Sequence, residues 1–147
     1  MQSRTHEAGV IEANLIVSLT FPITPSRLPS VSSNGNKFVL PTIEISVANK
    51  SANTVRHPDD LTLFGGAVDE ALKLLQDIWK VRKVHLYVGA PTTAVLTIGQ
   101  KMQARHHASF VCHETSGGPE SAFAPTIEIS NETVRNVTSG QTVSLQP

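Results

Sequence analysis

The chain has 147 residues, the length of one domain, enough for one hydrophobic core and not for two. Its formal net charge is +0, and only 16% of its residues are charged. Without a basic field to gather polyanions, neither duplex DNA nor a membrane surface is an expected partner, so a phosphate ligand has to be held by local amides and a few placed side chains.

Residues 1–12 are polar and read as a flexible N-terminus with no apolar signal-peptide core. No apolar run reaches the length of a membrane span, and a cytoplasmic protein is expected. Ala13 to Thr20 (ANLIVSLT) reads as a buried strand. Phe21 to Lys37 carries Pro22, Pro25 and Pro29 among Ser, Asn and Gly, a loop long enough to have a function of its own. Phe38 to Ala48 alternates after Pro41 and predicts a half-exposed strand, with the proline marking an edge or a bulge.

His57-Pro58-Asp59-Asp60 predicts a helix start, with the helix running to about Lys80. Its apolar stripe is Leu61, Phe64, Val68, Leu72, Leu75 and Trp79, widened by Ala71 and Ile78. Gly65-Gly66 either weakens the helix or marks close packing. Val84 to Val88 is nearly all apolar, as in a parallel strand covered on both faces. Pro91 to Arg105 predicts a second helix with Val95, Ile98 and Met102 inward, and Ser109 to His113 the next strand, completing a βαβ unit. Cys112, the single cysteine, excludes an internal disulfide and reads as a buried free thiol. A turn over Thr115 to Glu120 leads to Pro125–Ser130, which repeats Pro41–Ser46 letter for letter. The tail from 131 to 147 is polar, with Thr142 to Leu145 as an optional edge strand.

The turn Gly89-Ala90-Pro91-Thr92-Thr93 is where chemistry is expected. Glycine permits close approach, proline suits a helix start, and the following amides have no intrahelical acceptor. Such a helix end favours phosphate, and open α/β sheets bind ligands beyond the carboxyl ends of their strands. The loop after the first strand (Thr20, Phe21, Pro22) and the pair His113-Glu114 are expected to converge there, with Gln100 reaching from the helix. A plain structural turn is the alternative. Gly99 reads as a close helix–sheet contact, and His106-His107 as a solvated helix end rather than a metal site. No nucleophile elbow, Walker A lysine or G-x-G-x-x-G occurs.

The acidic helix start, the long amphipathic helix, VHLYVGAPTTAVLTIGQKMQ and a strand ending in His113-Glu114 together resemble the SAVED domain, in its C-terminal half. The resemblance implies an α/β, Rossmann-like (CARF-like) fold with a mostly parallel sheet, flanking helices and antiparallel edge strands. It implies one such domain over residues 13–130 and no cofactor, metal or catalytic set. The implied ligand is a cyclic di-, tri- or tetranucleotide messenger of bacterial anti-phage defence, of the CBASS or type III CRISPR kind. Implied partners are an effector domain or chain (nuclease, TIR or protease) and further copies of the chain. The implied ligand contacts are Thr20, Phe21, Pro22, Gly89, Ala90, Pro91, Thr92, Thr93, Gln100, His113 and Glu114. A nuclease cleaving the messenger through His113 or Glu114, and half of a split sensor docking on a partner, are the alternatives.

Overall fold

The computed structural model describes residues 2–3, 10–20, 23–47, 58–105, 108–115, 122–130, 133–137 and 139–144. In chain order the strands and helices are β1 (Gln2–Ser3), β2 (Glu12–Ser18), β3 (Ser33–Asn34), β4 (Lys37–Phe38), β5 (Thr42–Ser46), α1 (Pro58–Lys73), β6 (Lys83–Gly89), α2 (Thr92–Arg105), β7 (Ser109–Thr115), β8 (Phe123–Ile129), β9 (Thr133–Asn136) and β10 (Thr142–Ser144). Among the described residues the main sheet runs β1-β5-β2-β6-β7-β8-β9-β10, and β3 and β4 form a small hairpin. The central four strands, β5-β2-β6-β7, are mutually parallel. Antiparallel strands extend both edges. This is the α/β, Rossmann-like class with a parallel centre and antiparallel edges.

The helices lie on one face of the sheet. Leu15, Val17, Ile43, Ile45, Val84, Leu86 and Phe110 meet Phe64, Val68, Leu72 and Leu75 from α1 and its extension, and Ala94, Ile98 and Met102 from α2, in one buried cluster. Burying each large apolar side chain contributes roughly 1.5–3 kcal/mol, so this face holds the main stabilising core. The other face is covered by residues 23–38, through a second cluster of Ile16, Ile23, Leu28, Tyr87 and Phe123, with Phe38 packed against it. The long proline-rich segment is thus a strap across the sheet.

Several expectations shift. The first strand stops at Ser18, because the amides of Leu19 and Thr20 both turn to the Gly89 carbonyl at 2.8 Å. Helix α1 ends at Lys73 and continues as a π-helical turn over Leu74–Ile78. That wider turn rotates Ile78 out of the stripe, and it is 64% exposed. His57 of the expected helix start and the pair His106-His107 lie outside the described residues. In α2 Ile98 and Met102 are buried as expected, but their buried companion is Ala94, while Val95 faces solvent. Gly99 does not pack on the sheet: it is exposed, and a Cβ there would meet nothing within 4 Å. Gly65 does mark close packing, since its Cβ would stand 3.2 Å from Lys101 Cε of α2, beside the Lys101–Asp69 ion pair at 2.9 Å.

The repeated PTIEIS segments have different surroundings. Thr42–Ser46 is inside the sheet, paired with β2 and flanked by the short β1, and Pro41 precedes it, accepting the Asn14 amide at 2.9 Å. Pro125, by contrast, sits in β8 where the register with β7 shifts between Cys112 and His113, a bulge that accommodates a residue with no N–H.

Candidate ligand-binding site

Strands β5, β2, β6 and β7 end on the same side of the sheet because they are parallel, and α2 starts there directly after β6. The Pro91 carbonyl accepts the amides of Ala94 at 3.0 Å and Val95 at 3.1 Å. The amides of Thr92 and Thr93 are the ones that helix geometry leaves without an intrahelical acceptor, at the positive end of a 14-residue helix. Thr20 is brought against this turn by its 2.8 Å bond to Gly89. Pro91 therefore stands just ahead of the helix rather than in its first turn.

Of the expected contacts, Thr20, Gly89, Ala90, Pro91, Thr92 and Thr93 are gathered at this edge. Gln100 is exposed two turns along α2. Phe21 and Pro22 lie outside the described residues. His113 is not at a strand end, because β7 runs on to Thr115 and His113 is buried inside the sheet at 5% exposure. Glu114, by strand alternation, points to the opposite face and is exposed.

The strap-covered face carries a polar network that the sequence reading did not anticipate. Register places Thr42, Asn14, His85, Val111 and Glu128 in one row across β5, β2, β6, β7 and β8. The next row is Glu44, Ile16, Tyr87, His113 and Pro125. The row at the carboxyl edge begins Ser46, Ser18, Gly89. Continuing the register two residues past Tyr87 and His113 adds Thr115, which faces Phe123.

His85 links two partners: its Nε2 lies 2.8 Å from Glu12 Oε1 and its Nδ1 3.0 Å from His113 Nε2. The His113 ring stacks on Tyr87 at 4.4 Å, and Tyr87 meets Phe123 edge-on at 5.5 Å. Tyr87 Oη also bonds Ser32 Oγ of the strap at 2.5 Å, and Asn14 Nδ2 donates to the Ser32 carbonyl and to Thr42 Oγ1, each at 3.1 Å. The Arg27 guanidinium, buried on the strap, lies 4.8 Å from the Phe123 ring centre.

Burial, with the neighbouring His85 second, holds the His113 imidazole down at about 4. Burial pushes Tyr87 up to about 12 against its Ser32 bond, and pushes the partly buried Cys112 thiol up to about 11, with the Glu114 charge adding to it. Glu128 is held below the usual carboxylate range, first by its 2.6 Å bond from Arg135.

Four buried polar atoms on this face have no hydrogen-bond partner among the described residues: Asn14 Oδ1, Ser18 Oγ, His113 Nδ1 and Thr115 Oγ1. Each such atom costs about 1–3 kcal/mol in desolvation when it is left without a partner, so each calls for an explanation. The cue to this network was the period-two placement of Asn14 and Ser18 in ANLIVSLT, and of His85 and Tyr87 in VHLYV. Among the described residues no group of three or more His, Cys, Asp or Glu could hold a metal ion, and no helix is long and apolar enough to cross a membrane.

The model of the SMODS-associated and fused to various effectors sensor domain, SAVED, matches residues 2–129, and the chain belongs to that family. Three solved structures of the Acinetobacter baumannii Cap4 SAVED/CARF-domain containing receptor share the fold. The receptor with the cyclic trinucleotide 2'3'3'-cAAA superposes with a TM-score of 0.66 at 16% identity, over 88% of this chain and 27% of the receptor. With 3'3'3'-cAAA the values are 0.62 and 18%, over 86% and 27%. The receptor described without a nucleotide gives 0.55 and 17%, over 86% and 25%. The chain thus spans about a quarter of the length of these receptors. No curated protein sequence matches it.

Proposed function

We propose that this SAVED-family chain is a sensor module that binds a cyclic oligonucleotide second messenger at the carboxyl edge of β2, β6 and β7. The observation that carries the reading is the start of α2 beside Gly89 and Thr20, at the centre of the parallel strands. Its free amides favour an anion there, and a cyclic oligonucleotide presents phosphodiesters at fixed spacing. With a net charge of +0, affinity comes from such local groups rather than from a field. The sensor-domain family and the cyclic trinucleotides of the receptors with the same fold support the same class of ligand.

In this proposal the ring is a di-, tri- or tetranucleotide, and the setting is bacterial antiviral defence of the CBASS or type III CRISPR kind. Binding drives copies of the chain together, and this switches on an effector (nuclease, TIR or protease) held on another domain or chain. Phe21, Pro22 and Gln100 are proposed outer contacts, and the site works without a cofactor.

Thermal-shift and calorimetric titration with cyclic di-, tri- and tetra-adenylates tests the reading. At least one is expected to raise the melting temperature in a concentration-dependent way, as mass action requires. Cleavage of the messenger is the competing reading. Through His113 or Glu114 it would have to proceed with one of them alone, since strand alternation sends the two side chains to opposite faces of the sheet. Incubated cyclic tri-adenylate is therefore expected to remain cyclic on chromatography.

A further inference from the structure

Three of the partnerless atoms lie in the two rows nearest the carboxyl edge of the strap-covered face: His113 Nδ1, Ser18 Oγ and Thr115 Oγ1. Ser18 is 0% and His113 5% exposed, so bulk solvent does not reach these two. Beside Ser18 stands Gly89, which is buried and brings no side chain to that row.

The bonding sense of His113 Nδ1 follows from its neighbours. A carboxylate only accepts, so the 2.8 Å contact to Glu12 puts the His85 proton on Nε2. In the tautomer where His85 Nδ1 is the lone pair, it accepts from His113 Nε2–H at 3.0 Å. His113 consequently carries its proton on Nε2, and its Nδ1 is a lone pair as well. That atom requires a donor. A phosphate diester has none to give; a ribose hydroxyl and an exocyclic base amine both do.

We propose that His113 Nδ1, Ser18 Oγ and Thr115 Oγ1 form a subsite for a hydrogen-bond-donating group of the ligand, a ribose hydroxyl or an exocyclic base amine, and that the phosphates are left to the start of α2. The inference rests on the cyclic-oligonucleotide reading and divides that ligand between two sides of the sheet edge. Glu12 and His85 are positioning residues: they touch no ligand and fix the tautomer of His113. Tyr87 holds the ring flat by stacking. The hydroxyls of Ser18 and Thr115 serve as donor or acceptor as the bound group requires.

The full chain is titrated calorimetrically with cyclic tri-adenylate, with its 2'-deoxy analogue and with its inosine analogue, which lacks the amine. The first analogue reports a hydroxyl and the second an amine. One of them is expected to bind about tenfold more weakly, the loss of one hydrogen bond to a buried partner. In Ser18→Ala or Thr115→Val that penalty is expected to shrink, while the unliganded variants melt no lower than the parent, because the deleted hydroxyl had no partner. Nitrogen-15 spectra of the imidazoles at neutral pH are expected to show His113 protonated on Nε2, and Glu12→Ala to loosen that preference.

Equal affinity for all three ligands, a penalty undiminished in both variants, or a proton on His113 Nδ1 would overturn the subsite while leaving the sensor reading standing. Failure of cyclic di-, tri- and tetra-adenylates alike to bind the parent chain would overturn the sensor reading, and the subsite with it.

Discussion

His113 is the buried residue whose protonation the fold opposes most clearly. Its imidazole titrates near 4 in the folded chain and near 6.5 when unfolded. Between those values the unfolded chain binds more protons, so the contribution is complete above about 6.5 and is lost as pH falls toward 4. Glu128, held low by Arg135, acts in the same direction, losing its contribution as its carboxylate is protonated. Urea midpoints measured at fixed pH are expected to be level near pH 7 and to fall through that window. His113→Asn keeps a donor to His85 but cannot titrate, so the fall should shrink; an unchanged profile would contradict the assignment. At the other side of the edge, Thr93→Glu places a negative charge at the start of α2, where the helix tolerates it well. It is expected to leave the melting temperature unchanged or slightly raised and to abolish binding of cyclic adenylates by repulsion.

At the scale of elements, the two helices make opposite predictions for their glycines. Gly99 is exposed inside α2 with space around its Cα, so Gly99→Ala is expected to stabilise by about 0.5–1 kcal/mol. For a chain of this length that is a rise of roughly 1–4 °C in melting temperature. Gly65 faces Lys101 and Thr97 of α2, and Gly65→Leu is expected to cost about 1–3 kcal/mol by pushing the helices apart. A stabilised Gly65→Leu in thermal melts would show that the helix contact is looser than its geometry. The elements legible in the sequence were those defined locally: the apolar run of β6, the helix start after Pro91, and the stripe Phe64, Val68, Leu72, Leu75. What was illegible depended on partners distant in sequence. Nothing in residues 21–37 announces that Ser32 will bond Tyr87, or that Arg27 will lie over Phe123. Likewise, VHLYV read as an apolar run hid a polar face at His85 and Tyr87, whose role appears only when β7 brings His113 alongside. The strand carrying His113-Glu114 runs two residues farther than its apolar pattern, so the pair lies inside β7 rather than at its end.

The whole molecule is a sheet with unlike faces. One carries two helices and most of the core; the other carries a strap and a polar network with unpartnered atoms. The faces meet at the carboxyl edge, where the start of α2 offers amides from one side and Ser18, Thr115 and His113 lie on the other. The proposed ligand, rich in both phosphate and donor groups, suits that edge. Calorimetric titration of the purified chain with cyclic di-, tri- and tetra-adenylates, in parallel with Thr93→Glu, tests this account most directly. Saturable binding of at least one ring by the parent chain, lost in the variant at unchanged melting temperature, is the result it predicts; no binding of any ring, or equal binding by both proteins, would contradict it.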